Sequence, residues 1–366
     1  MKVLMSTDTV GGVWTYAIEL ARALRSRNVS FLLATMGAPL SATQREQADA
    51  LDNVEVEESG YRLEWMDDPW EEVERAGEWL LALEARARPD VVHLNGYAHG
   101  ALPWTAPVCI VAHSCVLSWW AAVKETPAPA EWDRYRDAVR RGVRAADVVI
   151  TPSHAMLRSL RAHYGELPPA RVIYNGREPT LFTPGLKEPF VLSVGRLWDE
   201  AKNTAALESV AGELSWPVYL AGDAQRPGGG RRDFGRVHCL GRLTEPELAS
   251  WLARAAIYAL PARYEPFGLS ALEASLAGCA LVLGDIASLR EIWGDTALFV
   301  PPNDHGALRE RIQRLAASER LRADLAGRSR ARALAYSPQH MADCYLRAYR
   351  DLIAARPLPE EAACAS

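Results

Sequence analysis

The stretch Ile257-Tyr258-Ala259-Leu260-Pro261, followed by Arg263-Tyr264-Glu265-Pro266-Phe267-Gly268-Leu269-Ser270-Ala271-Leu272-Glu273-Ala274, reads as strand, loop and helix in direct succession. The apolar run ends at Leu260-Pro261, the loop carries Glu265, and a helix starts at Phe267 or Gly268. Gly268 lets a ligand approach the backbone closely. The first helical amides then point outward as an anion site, reinforced by the helix dipole. Glu265, just ahead of that helix, is placed to accept hydroxyl groups, and Glu273 lies one to two turns further on. A purely local alternative has Glu265 stabilising the helix dipole and Glu273 solvated on the surface.

The same alternation extends in both directions. Strand-like runs upstream are Phe190–Gly195, Pro217–Gly222 and Val237–Gly241, and those downstream are Ala280–Gly284 and Leu298–Val300. Helices are expected near 203–213, 245–255, 268–278 and 304–318. Thr244 with Glu247 three residues on forms a capping box ahead of Leu248, Trp251 and Leu252. An earlier series repeats the rhythm, with strands at Lys2–Ser6, Phe31–Thr35, Asp90–Leu94, Val108–Ala112, Asp147–Thr151 and Val172–Tyr174. Val13, Tyr16, Ala17, Leu20 and Leu24 follow Gly11-Gly12 at helical spacing, and Trp70, Val73, Ala76, Trp79, Leu80 and Leu83 mark another helix face. Near-continuous apolar strands joined by helices indicate parallel sheets covered on both faces. Pro179, Pro184 and Pro189 with Gly185 mark the linker, so two α/β halves are expected to face one another across a cleft. Ser337-Pro338 opens a final helix to about Ala355, and the tail from Arg356 is expected to fray.

Composition narrows the function. The 366 residues, 49% hydrophobic and 24% charged, suit a globular chain of roughly two domains and exclude a disordered or coiled-coil protein. A formal charge of −5 leaves no basic excess for gripping nucleic acid. Residues 1–185 hold 19 basic and 24 acidic side chains, so neither half is a basic module. The six cysteines form no CxxC pair, and several sit in apolar runs such as Val108-Cys109-Ile110, as expected of reduced thiols without a zinc site. Neither a signal-peptide core nor an apolar run of ~20 residues is present, so a cytoplasmic protein is expected. Thr9-Val10-Gly11-Gly12-Val13-Trp14 lacks the third glycine of a dinucleotide fingerprint, which excludes a Rossmann dehydrogenase.

The pattern Glu265-Pro-Phe-Gly-x-x-x-x-Glu273-Ala resembles the signature of the retaining GT-B glycosyltransferases, specifically glycosyltransferase family 4, the group 1 transferases. Further segments resemble that family in order: Gly11-Gly12 ahead of an amphipathic helix, Asn175-Gly176-Arg177-Glu178 with Phe182, Gly195-Arg196 with Lys202, Leu220–Asp223, and Leu240-Gly241-Arg242-Leu243. The resemblance implies an α/β GT-B fold: a Rossmann-like acceptor domain at 1–185, a Rossmann-like donor domain at 186–336, and a helix at 337–355 packing back on the first. It implies a nucleotide-diphosphate-sugar donor of UDP or GDP type, a carbohydrate, lipid or small-molecule acceptor, retention of configuration, and neither cofactor nor metal. Arg196 and Lys202 are expected to neutralise the donor diphosphate. The gap between them is one residue longer than the commoner spacing, and Asn203 replaces the usual glycine. The resemblance assigns Glu265 to the transferred sugar and Glu273 to a two-oxygen grip on the ribose. The amides of Phe267, Gly268 and Leu269 fall to sugar hydroxyls and the distal phosphate, the backbone of Arg242 and Leu243 to the base, the backbone amides of Gly11 and Gly12 to the phosphate from the opposite side, and His113 to the donor sugar. Alternatives are a phosphorylase or sugar-nucleotide epimerase of the same fold, and a non-catalytic sugar-nucleotide binder.

Other features keep two readings. Trp119-Trp120 and Trp14 suit either core packing or an aromatic floor for an acceptor. His93 is expected inside a strand, His99 in a loop, and His154 at a helix start capped by Ser153. Arg134, Arg136, Arg140, Arg141 and Arg144 lie among Asp133 and Asp137 in a net-acidic half, so a solvated face is expected and charge gives membrane association no support.

Overall fold

A computed structural model describes residues 1–225, 229–230 and 232–355. The expected fraying beyond Ala355 lies outside the described residues. Two parallel sheets form the framework. The first has seven strands, β1 (Lys2–Asp8), β2 (Ser30–Met36), β3 (Val54–Glu58), β4 (Val91–Leu94), β5 (Val108–Val111), β6 (Val148–Thr151) and β7 (Ala170–Val172), in the order β3-β2-β1-β4-β5-β6-β7. The second has six, β8 (Glu188–Val194), β9 (Val218–Ala221), β10 (His238–Gly241), β11 (Ala255–Leu260), β12 (Ala280–Gly284) and β13 (Leu298–Val300), in the order β10-β9-β8-β11-β12-β13. This is the two-lobed α/β arrangement of the GT-B fold.

The central strands are apolar along their length because helices cover both faces. Leu4 and Met5 of β1 and Leu192 of β8 are fully buried. Strand order reverses direction between β1 and β4 in the first sheet and between β8 and β11 in the second. Ligands in open α/β sheets collect outside the carboxyl ends of strands at such switch points. The loops after β1, β4, β8 and β11 carry the side chains described below.

Helices Thr204–Ala211, Glu245–Arg254, Leu269–Leu276 and His305–Ala317 fall where periodicity placed them. The capping box forms, with the Thr244 amide and hydroxyl both donating to Glu247 Oε2 at 2.8 and 2.7 Å. The last helix, Pro338–Ala355, packs against Gly12–Leu24 through Met341, Tyr345 and Tyr349, inside the first lobe's core. The chain therefore crosses between lobes twice, and the crossings touch. A Cβ on Gly176 would lie 2.4 Å from the Ser337 carbonyl oxygen, so only glycine fits there.

Strand β3 and the helix Glu319–Ala333 were not anticipated. Strand β3, Val-Glu-Val-Glu-Glu, is an edge strand with Glu55 and Glu58 exposed, and Glu319–Ala333 carries five arginines. The arginine-bearing helix Asp133–Ala145 pairs its charges with nearby acids, Arg134 with Glu74 and Arg140 with Asp137. No helix among the described residues is long and apolar enough to cross a membrane.

Candidate active site

A cavity of about 910 Å³ lies between the lobes at the two switch points. Arg196, Lys202, Glu265, Phe267, Gly268, Leu269 and Glu273 line it from the second lobe, and Gly11, Gly12 and His113 from the first.

On the second-lobe wall each cation already has a carboxylate partner. Arg196 donates from Nη2 to Asp199 Oδ2 at 2.8 Å and lies over the Trp198 ring at 5.3 Å. Its Nη1 reaches across the cleft, 3.6 Å from where a Cβ on Gly11 would sit. Burial pushes the Asp199 carboxyl up, but Arg196, Lys202 and the indole of Trp119 together hold it below the usual range. Asp199 thus stays ionised and fixes the guanidinium.

Lys202 contacts Glu265 Oε2 at 2.5 Å, both side chains mostly buried. The extra residue between Arg196 and Lys202 is taken up by a single 3₁₀ turn, Glu200–Lys202. Asn203 then adopts the left-handed conformation, φ 55°, that the usual glycine would supply. Its side-chain amide donates to the carbonyls of Pro261 and Pro302 at 2.9 and 2.8 Å, so the longer segment still delivers Lys202 to the cavity. Gly268, φ 94°, caps the helix Leu269–Leu276 and turns its first amides toward this space.

On the first-lobe wall Asp8 Oδ1 accepts the amides of Val10 and Gly11 at 3.0 and 3.1 Å, shaping the glycine loop. Burial raises the Asp8 carboxyl, with those amides and Arg196 opposing. Asn95, after β4, donates from Nδ2 to the Ser6 carbonyl at 2.8 Å, which fixes its amide orientation. Its Oδ1 therefore accepts from both His113 Nε2 (2.8 Å) and His93 Nε2 (3.1 Å). Desolvation lowers both imidazoles to about 3, so both are neutral and carry the proton on Nε2. His113 Nδ1 is consequently a lone-pair acceptor at the cavity. His93, a strand-interior residue as expected, takes the Tyr349 hydroxyl of the last helix on Nδ1 at 2.6 Å. His99, expected in a loop, is buried in a 3₁₀ turn against the Val73 carbonyl at 2.9 Å.

Glu64 was not anticipated. Its carboxylate accepts the amides of Tyr97 and Ala98, and burial nevertheless raises it to about 7.

Glu273 departs from expectation. It is 6% exposed, and its Oε1 lies 2.8 Å from Arg177 Nε. This is a close ion pair without an aligned hydrogen bond. The pair occupies one side of Oε1, and both Glu273 oxygens keep acceptor capacity. Arg177 also donates to Glu19 at 2.7 Å and Glu245 at 2.8 Å, gathering three carboxylates from both lobes around one buried guanidinium. Burial disfavours its charge, but Glu273 and Glu19 hold its pKa above the ordinary value.

Arg242 and Leu243 do not line the cavity. They follow the edge strand β10, two strands from β8, or about 10 Å at ~4.8 Å per strand. Arg242 is exposed, and Leu243 packs on the second lobe's core. Trp14 belongs to the first lobe's core, donating to Gln47 at 2.8 Å. Trp119 instead joins the lobes, its Nε1 donating to Asp199 Oδ1 at 2.9 Å. The opposite lobe also reaches the His154–Tyr164 helix: Ser153 caps it as expected, and the His154 and Ala155 amides donate to Glu291. Among the described residues no group of three or more His, Cys, Asp or Glu is placed to hold a metal ion.

Comparison with known proteins agrees with this architecture. Residues 10–181 match the family described as Glycosyltransferase Family 4, and residues 188–318 match Glycosyl transferases group 1. Glycogen synthase of Mycobacterium tuberculosis is 29% identical over 255 residues, 60% of this chain and 58% of that protein, so the match spans little more than half of the relative. The solved sucrose-phosphate synthase of Thermosynechococcus elongatus superposes with a TM-score of 0.80 at 21% identity, covering 97% of this chain and all of that one. Alr3699/HepE of Anabaena, solved in complex with UDP-glucose, superposes at 0.75 and 18%, covering 96% of this chain and all of that one. The two matched segments leave little beyond the linker and the last two helices outside them: the chain belongs to glycosyltransferase family 4, the group 1 glycosyl transferases.

Proposed function

We propose that the protein is a metal-independent retaining glycosyltransferase, moving a sugar from a UDP- or GDP-type nucleotide sugar to an acceptor hydroxyl. The observation that carries this reading is convergence. Arg196, Lys202, Glu265 and the amino end of helix Leu269–Leu276 meet around one cavity, facing the Gly11-Gly12 backbone.

The departing diphosphate gains charge as the anomeric bond breaks. Interactions that strengthen with that charge lower the barrier. Arg196 spends Nη2 on Asp199 and keeps Nη1 and Nε for phosphate oxygens. Lys202 gives one of its three N–H donors to Glu265 and keeps two. Glu265 and His113 Nδ1 are acceptors suited to sugar hydroxyls, and the helix amides supply fixed dipoles. Positive groups and dipoles thereby do at the leaving group what a divalent cation does in metal-dependent transferases. Two contacts across the cleft, Trp119 to Asp199 at 2.9 Å and Lys124 to Glu200 at 2.7 Å, tie the lobes together beside the cavity.

Proton NMR of slow sugar transfer to water tests the reading, with UDP-α-glucose and GDP-α-mannose supplied in excess EDTA. We expect release of the α-anomer before mutarotation, at a rate unchanged by the chelator. Initial β-anomer would contradict retention, and silence in EDTA relieved by magnesium would contradict metal independence. Sugar 1-phosphate formed on adding inorganic phosphate would favour the phosphorylase alternative.

A further inference from the structure

The first-lobe wall of the cavity carries two features that the donor chemistry does not use. The first is aromatic. Trp65, Trp119, Trp120 and Trp132 are half-buried and line the cavity. Three of them run with Tyr135 in a ladder of edge-to-face and tilted rings, with centroids 5.9, 6.5 and 5.8 Å apart from Trp119 to Trp120, on to Trp132 and on to Tyr135. A ladder of this kind offers flat apolar faces with polar N–H edges, which suits the C–H face of a sugar ring.

The second feature is charge. Asp8 and Asp67 line this wall, Glu64 beside them is raised by burial to about 7 and so is partly neutral, and among the wall's described residues Arg62 is the single formal cation. Arg62 is already engaged, with Nε 3.2 Å from Glu72 and Nη1 donating to the Asp67 carbonyl at 2.9 Å. The two histidines here add no charge, since burial lowers His99 and His113 alike. A phosphate group docked beside Asp8 and Asp67 would meet like charge, while Arg196 and Lys202 on the opposite wall are held by Asp199 and Glu265. Hydroxyl groups fit better, since Asp8 commits only Oδ1 to the glycine loop. A wholly apolar alcohol would give Asp8 Oδ2 no donor.

We infer that the acceptor is a neutral, hydroxyl-rich molecule with one apolar face, a glycoside or cyclic polyol, and not a phosphate ester. This rests on the transferase reading above. The test titrates protein saturated with UDP or GDP, whichever binds, following tryptophan fluorescence. The probes are glucose, mannose, myo-inositol and maltose, the matched glucose 6-phosphate, mannose 6-phosphate and myo-inositol 1-phosphate, and 4-nitrophenol. At least one neutral sugar or polyol should bind, and at least tenfold tighter than its phosphate. Trp120→Ala should weaken that binding about tenfold without changing nucleotide affinity, and Trp120→Phe should restore most of it. A phosphate ester that outbinds its parent, 4-nitrophenol outbinding every sugar, or no neutral sugar binding to nucleotide-loaded protein would overturn the inference while leaving the donor reading intact. Protein that binds no nucleotide would overturn both.

Discussion

Glu265→Ala should lower the rate of sugar transfer by about a thousandfold, with the fold and melting temperature little changed. The carboxylate contacts Lys202 Nζ, and it lies at the mouth of the helix Leu269–Leu276. Its removal takes away a hydroxyl acceptor and the contact that positions a mostly buried ammonium, losses of the size seen when a pre-organised electrostatic contact is deleted. The backbone does not depend on that side chain. The Glu265 carbonyl accepts from Ser288 Oγ at 2.5 Å, and the Pro266 carbonyl accepts from Ser153 Oγ at 2.7 Å. Steady-state transfer beside circular dichroism checks both halves. Turnover near wild type would remove Glu265 from the chemistry, and a collapsed spectrum would show that its role is structural. Glu265→Gln should retain more activity than the alanine variant, because the amide oxygen still accepts hydroxyls.

The largest stability effect should come from Arg177→Met. The guanidinium is 3% exposed and compensates Glu19, Glu245 and Glu273. A methionine fills similar volume but strands the buried Glu273 carboxylate and leaves Glu19 with Arg22 alone. Breaking a buried ion network by removing one partner costs about 3–5 kcal/mol. The pH dependence has a definite sign. Burial already raises Glu273 above 4.5, with Arg177 the main opposing influence. Without Arg177 the folded-state value rises further above the unfolded one, so the native state holds more protons than the unfolded state over a wider window above 4.5. Stability must then fall as pH rises through that window. Urea titrations should therefore show a larger deficit at pH 7.5 than at pH 5. A loss under about 1 kcal/mol, or a deficit that grows on acidification, would contradict the role given to Arg177. Because the network joins the lobes, its loss should also loosen their packing.

Much of the framework was legible because buried parallel strands have nowhere to put polar residues. Ala280–Gly284 and Leu298–Val300 coincide with the apolar runs read from sequence. Strand β3 escaped because an edge needs only Val54 and Val56 on its inner face, while Glu55, Glu57 and Glu58 read as loop. The second-lobe side chains lie close along the chain, Glu265 and Glu273 within one strand–loop–helix unit, so local pattern finds them. The remaining residues act through partners far away in sequence. Glu64 is placed by amides of Tyr97 and Ala98, Asp199 by Trp119 of the other lobe, and Arg177 by Glu273, contacts that only the tertiary fold creates. The side chains of Arg242 and Leu243 stay off the cavity because their strand, β10, lies at the sheet edge and not at the switch point; the resemblance gives the base to their backbone.

The central claim is that fixed cations and backbone dipoles between two lobes hold a nucleoside diphosphate without a metal. Isothermal titration of wild type and Arg196→Ala with UDP, GDP and ADP in excess EDTA tests it most directly. At least one diphosphate should bind wild type with micromolar affinity in the chelator, and Arg196→Ala should weaken that binding at least tenfold, about 1.4 kcal/mol. Binding only after magnesium is restored, or equal affinity in the variant, would contradict it.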